Sequence, residues 1–282
     1  MTNDSFLDRM ASASRERVGL ARATESDAAL RARALATADP PPLRLGQFDL
    51  IAELKLRSPA AGSLAESHFD RHAQLDAYAT GGATTISVLT EPDEFRGSLA
   101  HLEEAASILK PHGIPALRKD FLTDPYQVLE ARAAGAGGVL VIVTMLTDAE
   151  VEMLLACARE CGLFVLLETF DALDLARVAR LAEPGLAPES APVLCGVNCR
   201  DLKSLAVDFD RFAQLAEHLP RGLKAVAESG VKSVDEIRAI ASLGYQAALV
   251  GSVLMQSPEP AQAVARLVAA GNERREEMRA CS

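Results

Sequence analysis

The chain has 282 residues, of which 49% are hydrophobic, and it carries a formal net charge of −10. It is long enough for one (β/α)8 barrel or for two ordinary domains, so length alone does not decide between them. The excess of acidic residues argues against nucleic acid or an anionic membrane as the main partner. An anionic small molecule would therefore have to be held by local cations and backbone amides.

The chain carries no sequence signal for export or membrane insertion. Its first ten residues include acidic side chains, and no apolar run reaches the roughly 18 residues of a membrane span. We therefore expect a cytoplasmic protein. The five cysteines are too few for a disulfide scaffold. Cys157 and Cys161 have no nearby histidine to complete a metal set, so we expect buried thiols and no metal site.

Residues 1–45 precede the repeating part of the chain. Polar-rich helical patterns cover residues 6–23 and 28–35, and three consecutive prolines at 40–42 form a stiff linker. These features predict a helical arm that covers one mouth of a barrel formed by residues 46–282. For the first ten residues, a frayed terminus is the alternative.

From Phe48 onward, short apolar runs typical of β-strands alternate with helical stretches of about 10–15 residues. Eight such units close most economically into a (β/α)8 TIM barrel. Helix starts agree with this register, since Thr147 and Ser233 begin capping-box sequences and Asp124-Pro125 supplies an N-cap followed by proline. The predicted strands are residues 48–54, 84–89, 115–119, 138–143, 163–168, 193–198, 224–228 and 246–250.

Charged and polar residues recur where the predicted strands end. Residues two apart in a strand share a face, so Glu53 and Lys55 should project together near the end of the first strand. The other strand-end residues of this kind are Lys119, Glu168, Asn198, Arg200 and Glu228. A structural ring of ion pairs is the alternative, but buried charges are costly and apolar replacements are often as stable. Because barrel enzymes keep their active sites at this end, we favour catalysis.

Two glycine-containing turns, Ser229-Gly230 and Gly251-Ser252, follow the last two predicted strands. Barrels frequently bind phosphate with the loops after the seventh and eighth strands and the start of a short helix. Ordinary turns with glycine at positive φ are the alternative. Lys55 would add a positive charge, so these residues predict a site for a phosphorylated small molecule.

Nine stretches along the chain match the motifs of one family in order. They are Ile-Ala-Glu-Leu-Lys-Leu-Arg-Ser-Pro (51–59), Ile-Ser-Val-Leu-Thr-Glu (86–91), Phe-Arg-Gly-Ser (95–98), Leu-Arg-Lys-Asp-Phe (117–121), Asp-Pro-Tyr-Gln (124–127), Glu168, Gly-Val-Asn-Cys-Arg-Asp-Leu (196–202), Ala-Glu-Ser-Gly (227–230) and Leu-Val-Gly-Ser (249–252). On these residues the chain resembles the indole-3-glycerol phosphate synthase family. The resemblance implies a cofactor-free lyase of tryptophan biosynthesis that acts on 1-(2-carboxyphenylamino)-1-deoxyribulose 5-phosphate by condensation, decarboxylation and loss of water.

The resemblance also implies roles for the residues at the strand ends. Lys119 would be the general acid at the ketone oxygen, oriented by Glu53, and Glu168 the acid/base group of the dehydration. Lys55 would bind the anionic substrate or take part in proton transfer. The remaining implied contacts are Asn198, Arg200 and Ser58 at the anthranilate and its carboxylate, Phe95 and Phe121 at its ring, Glu228 at the sugar part, and Ser229, Gly230, Gly251 and Ser252 at the phosphate.

The chain departs from the usual family pattern at four places. Leu56 stands in place of a basic residue, Gly137-Gly138 of Asp-Ala, Thr169-Phe170 of Val-His, and Cys199 of a second Asn. Strand alternation predicts that Cys199 faces away from Asn198 and Arg200. Three alternatives stay open: a diverged paralogue, a Schiff-base aldolase using Lys119, and a barrel that binds a phosphorylated metabolite without catalysis. A monomer or a weak homo-oligomer is expected.

Overall fold

Eight parallel strands close into a barrel in the computed structural model, which describes residues 5–58, 62–63, 69–182, 192–200 and 206–280. They are β1 (Asp49–Leu54), β2 (Thr85–Leu89), β3 (Ala116–Lys119), β4 (Gly138–Ile142), β5 (Phe164–Thr169), β6 (Val193–Asn198), β7 (Lys224–Glu228) and β8 (Ala247–Val250). Each strand pairs with the next, and β8 pairs with β1. The predicted TIM barrel is confirmed, with every strand boundary within one residue.

Two helices precede the barrel, α1 (Phe6–Thr24) and α2 (Asp27–Ala36). Both agree with the predicted helical patterns to within one residue at each end. Val18 and Leu30 belong to the main hydrophobic core, between the strands and the outer helices. Leu7 and Met10 join a second buried cluster, which is built mainly from strand side chains. The described part of the N-terminal arm therefore packs against the barrel.

The remaining helices follow the strands in the alternating order that the sequence predicts. They are α3 (Arg71–Thr80), α4 (Leu99–Leu109), α5 (Pro125–Ala133), α6 (Asp148–Glu160), α7 (Ala172–Leu181), α8 (Arg211–Leu215), α9 (Val234–Ser242), α10 (Ser252–Met255) and α11 (Pro260–Ala280). Short 3-10 helices cover Lys110–His112, Val143–Met145 and Ala216–His218. None of the helices in the described ranges is long and apolar enough to span a membrane.

The two predicted capping boxes differ in detail. Thr147 and Glu150 exchange both hydrogen bonds at the start of α6, as predicted. At the start of α9, Ser233 accepts the N–H of Glu236, but the Glu236 carboxylate accepts the N–H of Lys232, one residue earlier than the motif requires. The helix still begins at the predicted place, because the serine alone satisfies one of its free N–H groups.

Strand side chains alternate between the two cores. In β4, Leu140 and Ile142 belong to the inner cluster with Leu7, whereas Val139 and Val141 belong to the outer core with the helices. This period of two is what a closed sheet with helices outside requires. The inner positions near the carboxyl ends of the strands are therefore the ones that can carry a site.

A buried ion pair closes the amino end of the barrel. The Asp49 carboxylate pairs with Lys224 and accepts hydrogen bonds from the Gly46 N–H at 3.0 Å and the Thr84 hydroxyl at 2.8 Å. The Lys224 ammonium also donates to the Gly46 carbonyl at 2.7 Å. Each of these charges has several partners, so this cluster is stabilised in the way that buried ion pairs require.

The four cysteines in the described part of the chain are ordinary core side chains. Cys157, Cys161, Cys195 and Cys199 are free and buried, which confirms the prediction of buried thiols. Within the described ranges, no three His, Cys, Asp or Glu side chains are grouped so that they could hold a metal ion.

Candidate active site

A cavity of about 480 Å³ lies where the strands end at their carboxyl termini. The predicted site residues on its wall are Glu53, Lys55, Phe95, Lys119, Phe121, Glu168, Asn198, Arg200, Ser229, Gly230, Gly251 and Ser252. Glu228 is not on the wall, since its side chain is fully buried behind it. Ser58 lies in a two-residue strand paired with Gly62, and its side chain falls outside the described residues. The structure therefore brings nearly all of the predicted residues to one cavity.

Lys119, the last residue of β3, lies between two carboxylates. Its Nζ is 3.2 Å from Glu168 Oε2 and 3.3 Å from Glu228 Oε2. Burial alone would lower the pKa of Lys119, but Glu168, Glu228 and Glu53 outweigh burial and raise that pKa above its ordinary value. Lys119 is therefore an ammonium ion at neutral pH and can donate a proton or a hydrogen bond into the cavity.

Glu53 and Lys55 project together from the end of β1, as the strand pattern predicts. The Lys55 ammonium lies 2.6 Å from Glu53 Oε1. Burial acts to raise the pKa of Glu53, but the charges of Lys55 and Lys119 outweigh it, and the pKa falls below its ordinary value. Glu53 is therefore a carboxylate at neutral pH, and it adds to the negative field around Lys119.

Glu228 is the most perturbed acid of the site. Its side chain is 0% exposed, and burial followed by the charge of Glu168 raises its pKa to about 8. Its Oε1 atom has no hydrogen-bond partner among the described atoms. Near neutral pH Glu228 therefore takes up a proton more readily than an ordinary glutamate, which relieves its repulsion with Glu168, while its ionised form stabilises the ammonium of Lys119 together with Glu168.

Two glycines make room for the buried acids. A Cβ atom at Gly196 would lie 1.9 Å from Glu228 Oε1, and one at Gly251 would lie 2.5 Å from Glu53 Oε1. Both distances are too short for a real contact, so neither position can carry a side chain while the acid keeps its place. Gly251 thus serves two purposes, because it also lines the cavity at the predicted phosphate turn.

Asn198 orients the acid that contacts Lys119. Its Nδ2 donates to Glu168 Oε1 at 2.9 Å, which leaves Oε2 of Glu168 facing Lys119. Its Oδ1 accepts the N–H of Arg200 at 3.0 Å and so fixes the start of the following loop. Cys199, between them, is buried and packs next to Gly230, as alternation predicts.

The predicted phosphate turns have an unusual backbone. Ser229 and Gly230 both have left-handed φ angles, +67° and +74°. A serine in this region costs roughly 1–2 kcal/mol, so the conformation is held by its surroundings. Lys232 also lines the cavity close in sequence to this turn. Sequence reasoning missed Lys232, although a lysine two residues after the turn is a visible signal.

Three phenylalanines from separate segments form one side of the cavity, which we call the aromatic wall: Phe6, Phe95 and Phe121. The Phe121 ring lies 5.8 Å from that of Phe6 and 6.3 Å from that of Phe95, centroid to centroid. Phe95 and Phe121 were predicted, whereas Phe6 and its neighbour Leu7 were missed. Phe170, one of the departures from the family pattern, also lines the cavity.

The fold and these side chains define a TIM-barrel protein with a cavity lined by acidic and basic side chains at the carboxyl ends of its strands. A family model described as indole-3-glycerol phosphate synthase matches residues 10–267, and the chain belongs to that family. The family consists of lyases that decarboxylate their substrate and close the indole ring. The resemblance read from the motifs is therefore confirmed.

Two relatives and one solved structure illustrate the match. The chain is 43% identical over 227 residues to indole-3-glycerol phosphate synthase from Arthrobacter sp. (strain FB24), covering 80% of this chain and 79% of that protein. It is 38% identical over 270 residues to the enzyme of that name from Rhizorhabdus wittichii, covering 93% and 97%. The crystal structure of 3-hexulose-6-phosphate synthase from Salmonella typhimurium matches with a TM-score of 0.62 at 18% identity, over 80% of this chain and 100% of that one. This last likeness shows the fold alone.

Proposed function

We propose that this chain converts 1-(2-carboxyphenylamino)-1-deoxyribulose 5-phosphate to indole-3-glycerol phosphate, carbon dioxide and water, as a cytoplasmic step of tryptophan biosynthesis. The observation that carries the proposal is Lys119, a lysine kept protonated by Glu168 and Glu228 at the wall of the cavity. Closing the ring onto a ketone requires an acid at the ketone oxygen, and a positioned acid contributes typically about 10²–10⁴-fold.

In the first step, the ring carbon that bears the carboxylate attacks the ketone carbon, and Lys119 gives its proton to the ketone oxygen. Glu53 keeps Lys119 charged and oriented before the transfer. Loss of carbon dioxide then returns the electron pair of the broken bond to the aromatic ring. In the last step, Glu168 removes a proton from the methylene carbon between the nitrogen and the former ketone carbon, the new hydroxyl takes up a proton and leaves as water, and the double bond of the indole forms. Lys55 supports the anionic substrate or supplies a proton to the leaving hydroxyl.

The cavity offers a different contact for each part of the substrate. We place the phosphate at Ser229, Gly230, Gly251 and Ser252, with Lys55 as a countercharge. The anthranilate ring lies against the aromatic wall, with Asn198 and Arg200 at its carboxylate. Because Glu228 lies behind Lys119, we propose that it tunes this lysine rather than contacting the sugar directly.

The N-terminal arm, residues 1–45, covers the aromatic end in this proposal. Phe6 and Leu7 of α1 line the cavity. Such a cover excludes water from the charges of the site and strengthens their action on the substrate. Phe6 and Leu7 thus give the apolar face of α1 a role at the mouth of the barrel, although the eight strands close without it.

A Schiff-base aldolase is disfavoured by the charge of Lys119. An amine must be neutral to attack a carbonyl, and lysines of that class have lowered pKa values. The pKa of Lys119 is instead raised. Treatment with borohydride and substrate should therefore leave the protein unmodified.

A turnover assay with purified wild-type protein tests the proposal. We expect indole-3-glycerol phosphate and carbon dioxide in equal amounts. A barrel that only binds metabolites would be protected from thermal unfolding by the substrate without consuming it, and that result would refute the proposed activity.

A further inference from the structure

The aromatic wall is assembled from three segments that are far apart in the sequence. Phe6 belongs to α1, Phe95 to the loop after β2, and Phe121 to the loop after β3. No strand ladder of the barrel joins α1 to these two loops. The shape of the wall therefore depends on whatever fixes the three segments relative to one another.

Two buried carboxylates fix the backbone at two of the phenylalanines. Glu91, 0% exposed, accepts the N–H of Phe95 at 3.1 Å and that of Glu94 at 2.7 Å on Oε2. Asp120 accepts the N–H of Phe121 at 2.8 Å on Oδ1. Such bonds from amides to a charged acceptor are stronger than neutral ones, so each carboxylate sets the place of one ring.

Arg17 of α1 connects both carboxylates to the helix that carries Phe6. Its Nη2 donates to Asp120 Oδ1 at 2.9 Å, the same oxygen that holds the Phe121 amide. Its Nη1 lies 3.7 Å from Glu91 Oε1, within ion-pair range but without a hydrogen bond. Arg118 also pairs with Asp120, on Oδ2 at 3.2 Å, but it belongs to β3 and cannot place the arm.

We infer that Arg17 is a positioning residue that holds the three phenylalanines of the wall in register and thereby sets the pocket for the aromatic end of the substrate. The inference rests on the proposed function, in which this wall binds the anthranilate ring. Other contacts attach α1 elsewhere: Arg15 pairs with Glu150, and Arg22 pairs with Asp124. The arm should therefore stay docked when Arg17 alone is replaced.

The test compares Arg17→Met with Arg15→Met. Both changes remove one arginine of α1 and keep an unbranched side chain, but Arg15 is half exposed and contacts neither wall carboxylate. We expect Arg17→Met to raise the KM for the carboxyphenylamino substrate about tenfold or more, because small misplacements of binding groups are costly. Arg15→Met should leave it unchanged. Protection by inorganic phosphate against thermal unfolding should be unchanged in both, since the phosphate turns lie on other loops.

Arg17→Lys provides the conservative variant. A lysine keeps the positive charge near Asp120 but lacks the two guanidinium nitrogens that reach both carboxylates. The KM of Arg17→Lys should therefore lie between those of wild type and Arg17→Met. If Arg17→Met does not fold, a KM for Arg17→Lys above that of wild type still supports the inference, and a wild-type KM overturns it.

Hydrogen exchange gives a readout independent of turnover. The amides of Phe95 and Phe121 should exchange faster in Arg17→Met than in Arg15→Met, while amides of the barrel strands stay protected. Equal exchange and equal KM in the two variants would overturn the inference, as would a general loss of protection with weaker phosphate binding. If wild type does not turn over the substrate, the proposed function fails, and the exchange experiment still decides the role of Arg17.

Discussion

The two ends of the barrel bury charge in opposite ways. At the amino end, Asp49 is 4% exposed and is matched by Lys224, a hydroxyl and a backbone N–H. At the carboxyl end, the single ammonium of Lys119 faces Glu168 and Glu228, and one oxygen of Glu228 has no partner among the described atoms. In the first arrangement every charged group is matched within the cluster, whereas in the second two acids share one lysine beside an open cavity.

Under the proposed function, the difference separates a structural cluster from a catalytic one. Burying an ion pair gives little net stability, and apolar side chains of similar volume often do as well. A cluster that leaves an acid protonated near neutral pH is a poor way to stabilise a barrel. It is a good way to hold a lysine ready to give up a proton, because the acid/base groups of enzymes need pKa values that differ from one another.

The largest expected effect is on catalysis at the carboxyl end. Glu168→Gln keeps the size of the side chain but cannot accept a proton, so kcat should fall by about 10²–10⁴-fold. The matching change at the amino end, Asp49→Asn, should keep kcat within about threefold because it touches no reacting group. Steady-state kinetics at one pH compares the two variants. Turnover by Glu168→Gln at wild-type levels would remove Glu168 from the chemistry.

A smaller effect is expected at the phosphate turn. Gly230→Ala places a Cβ 2.8 Å from Cys199 Sγ and should displace the turn, raising the KM roughly tenfold and abolishing protection by inorganic phosphate. Gly162→Ala is the matched control, since Gly162 has a similar φ of +66° and no atom within 4 Å of the added Cβ. Thermal unfolding with and without phosphate measures the difference. Intact protection in Gly230→Ala would move the phosphate site elsewhere.

Much of the barrel, and the convergence of the candidate site residues on one cavity, could be predicted because the signals are local. Alternating apolar runs gave strand boundaries within one residue, and the polar residues that end strands, such as Lys119 and Glu168, converge by topology alone. The aromatic wall could be predicted only in part. Phe6 reaches Phe121 across more than a hundred residues, and no local pattern marks that contact.

Two further features of the site and the barrel depend on contacts between neighbouring strands, which the sequence does not reveal. The placement of Glu228 behind Lys119 depends on the missing side chain of Gly196 on the neighbouring strand. The departure at Gly138 is explained by the ring of Phe164, which would lie 2.4 Å from an added Cβ. Nothing in the structure explains Leu56. Packing between neighbouring strands determines which residue fits at Gly138 and Gly196, and this packing cannot be predicted from a single sequence.

The remaining expected effect is on stability rather than on kinetics, and it concerns Glu228. Its pKa is about 8 in the folded chain and near the ordinary 4.5 when unfolded, so the folded state holds the extra proton between these values. Its contribution is therefore complete below pH 4.5 and is lost as pH rises through 8. From pH 5 to 9, the free energy of unfolding of wild type should fall relative to Glu228→Gln by on the order of 4 kcal/mol.

Chemical denaturation across this pH range measures the effect, with Glu152→Gln, on the exposed side of α6, as control. The control should track wild type at every pH. A constant difference between wild type and Glu228→Gln from pH 5 to 9 would show that Glu228 is ionised throughout.

The most direct test of the account replaces the lysine at each end of the barrel and measures both turnover and stability. Lys119→Met should lower kcat by at least about 10²-fold while the protein still unfolds cooperatively. Lys224→Met should lose about 3 kcal/mol of unfolding free energy, because it leaves Asp49 buried without its cation, and should keep its kcat. Retention of more than about a tenth of the wild-type kcat by Lys119→Met, or an equal loss of turnover in both variants, would contradict the assignment of chemistry to the carboxyl end.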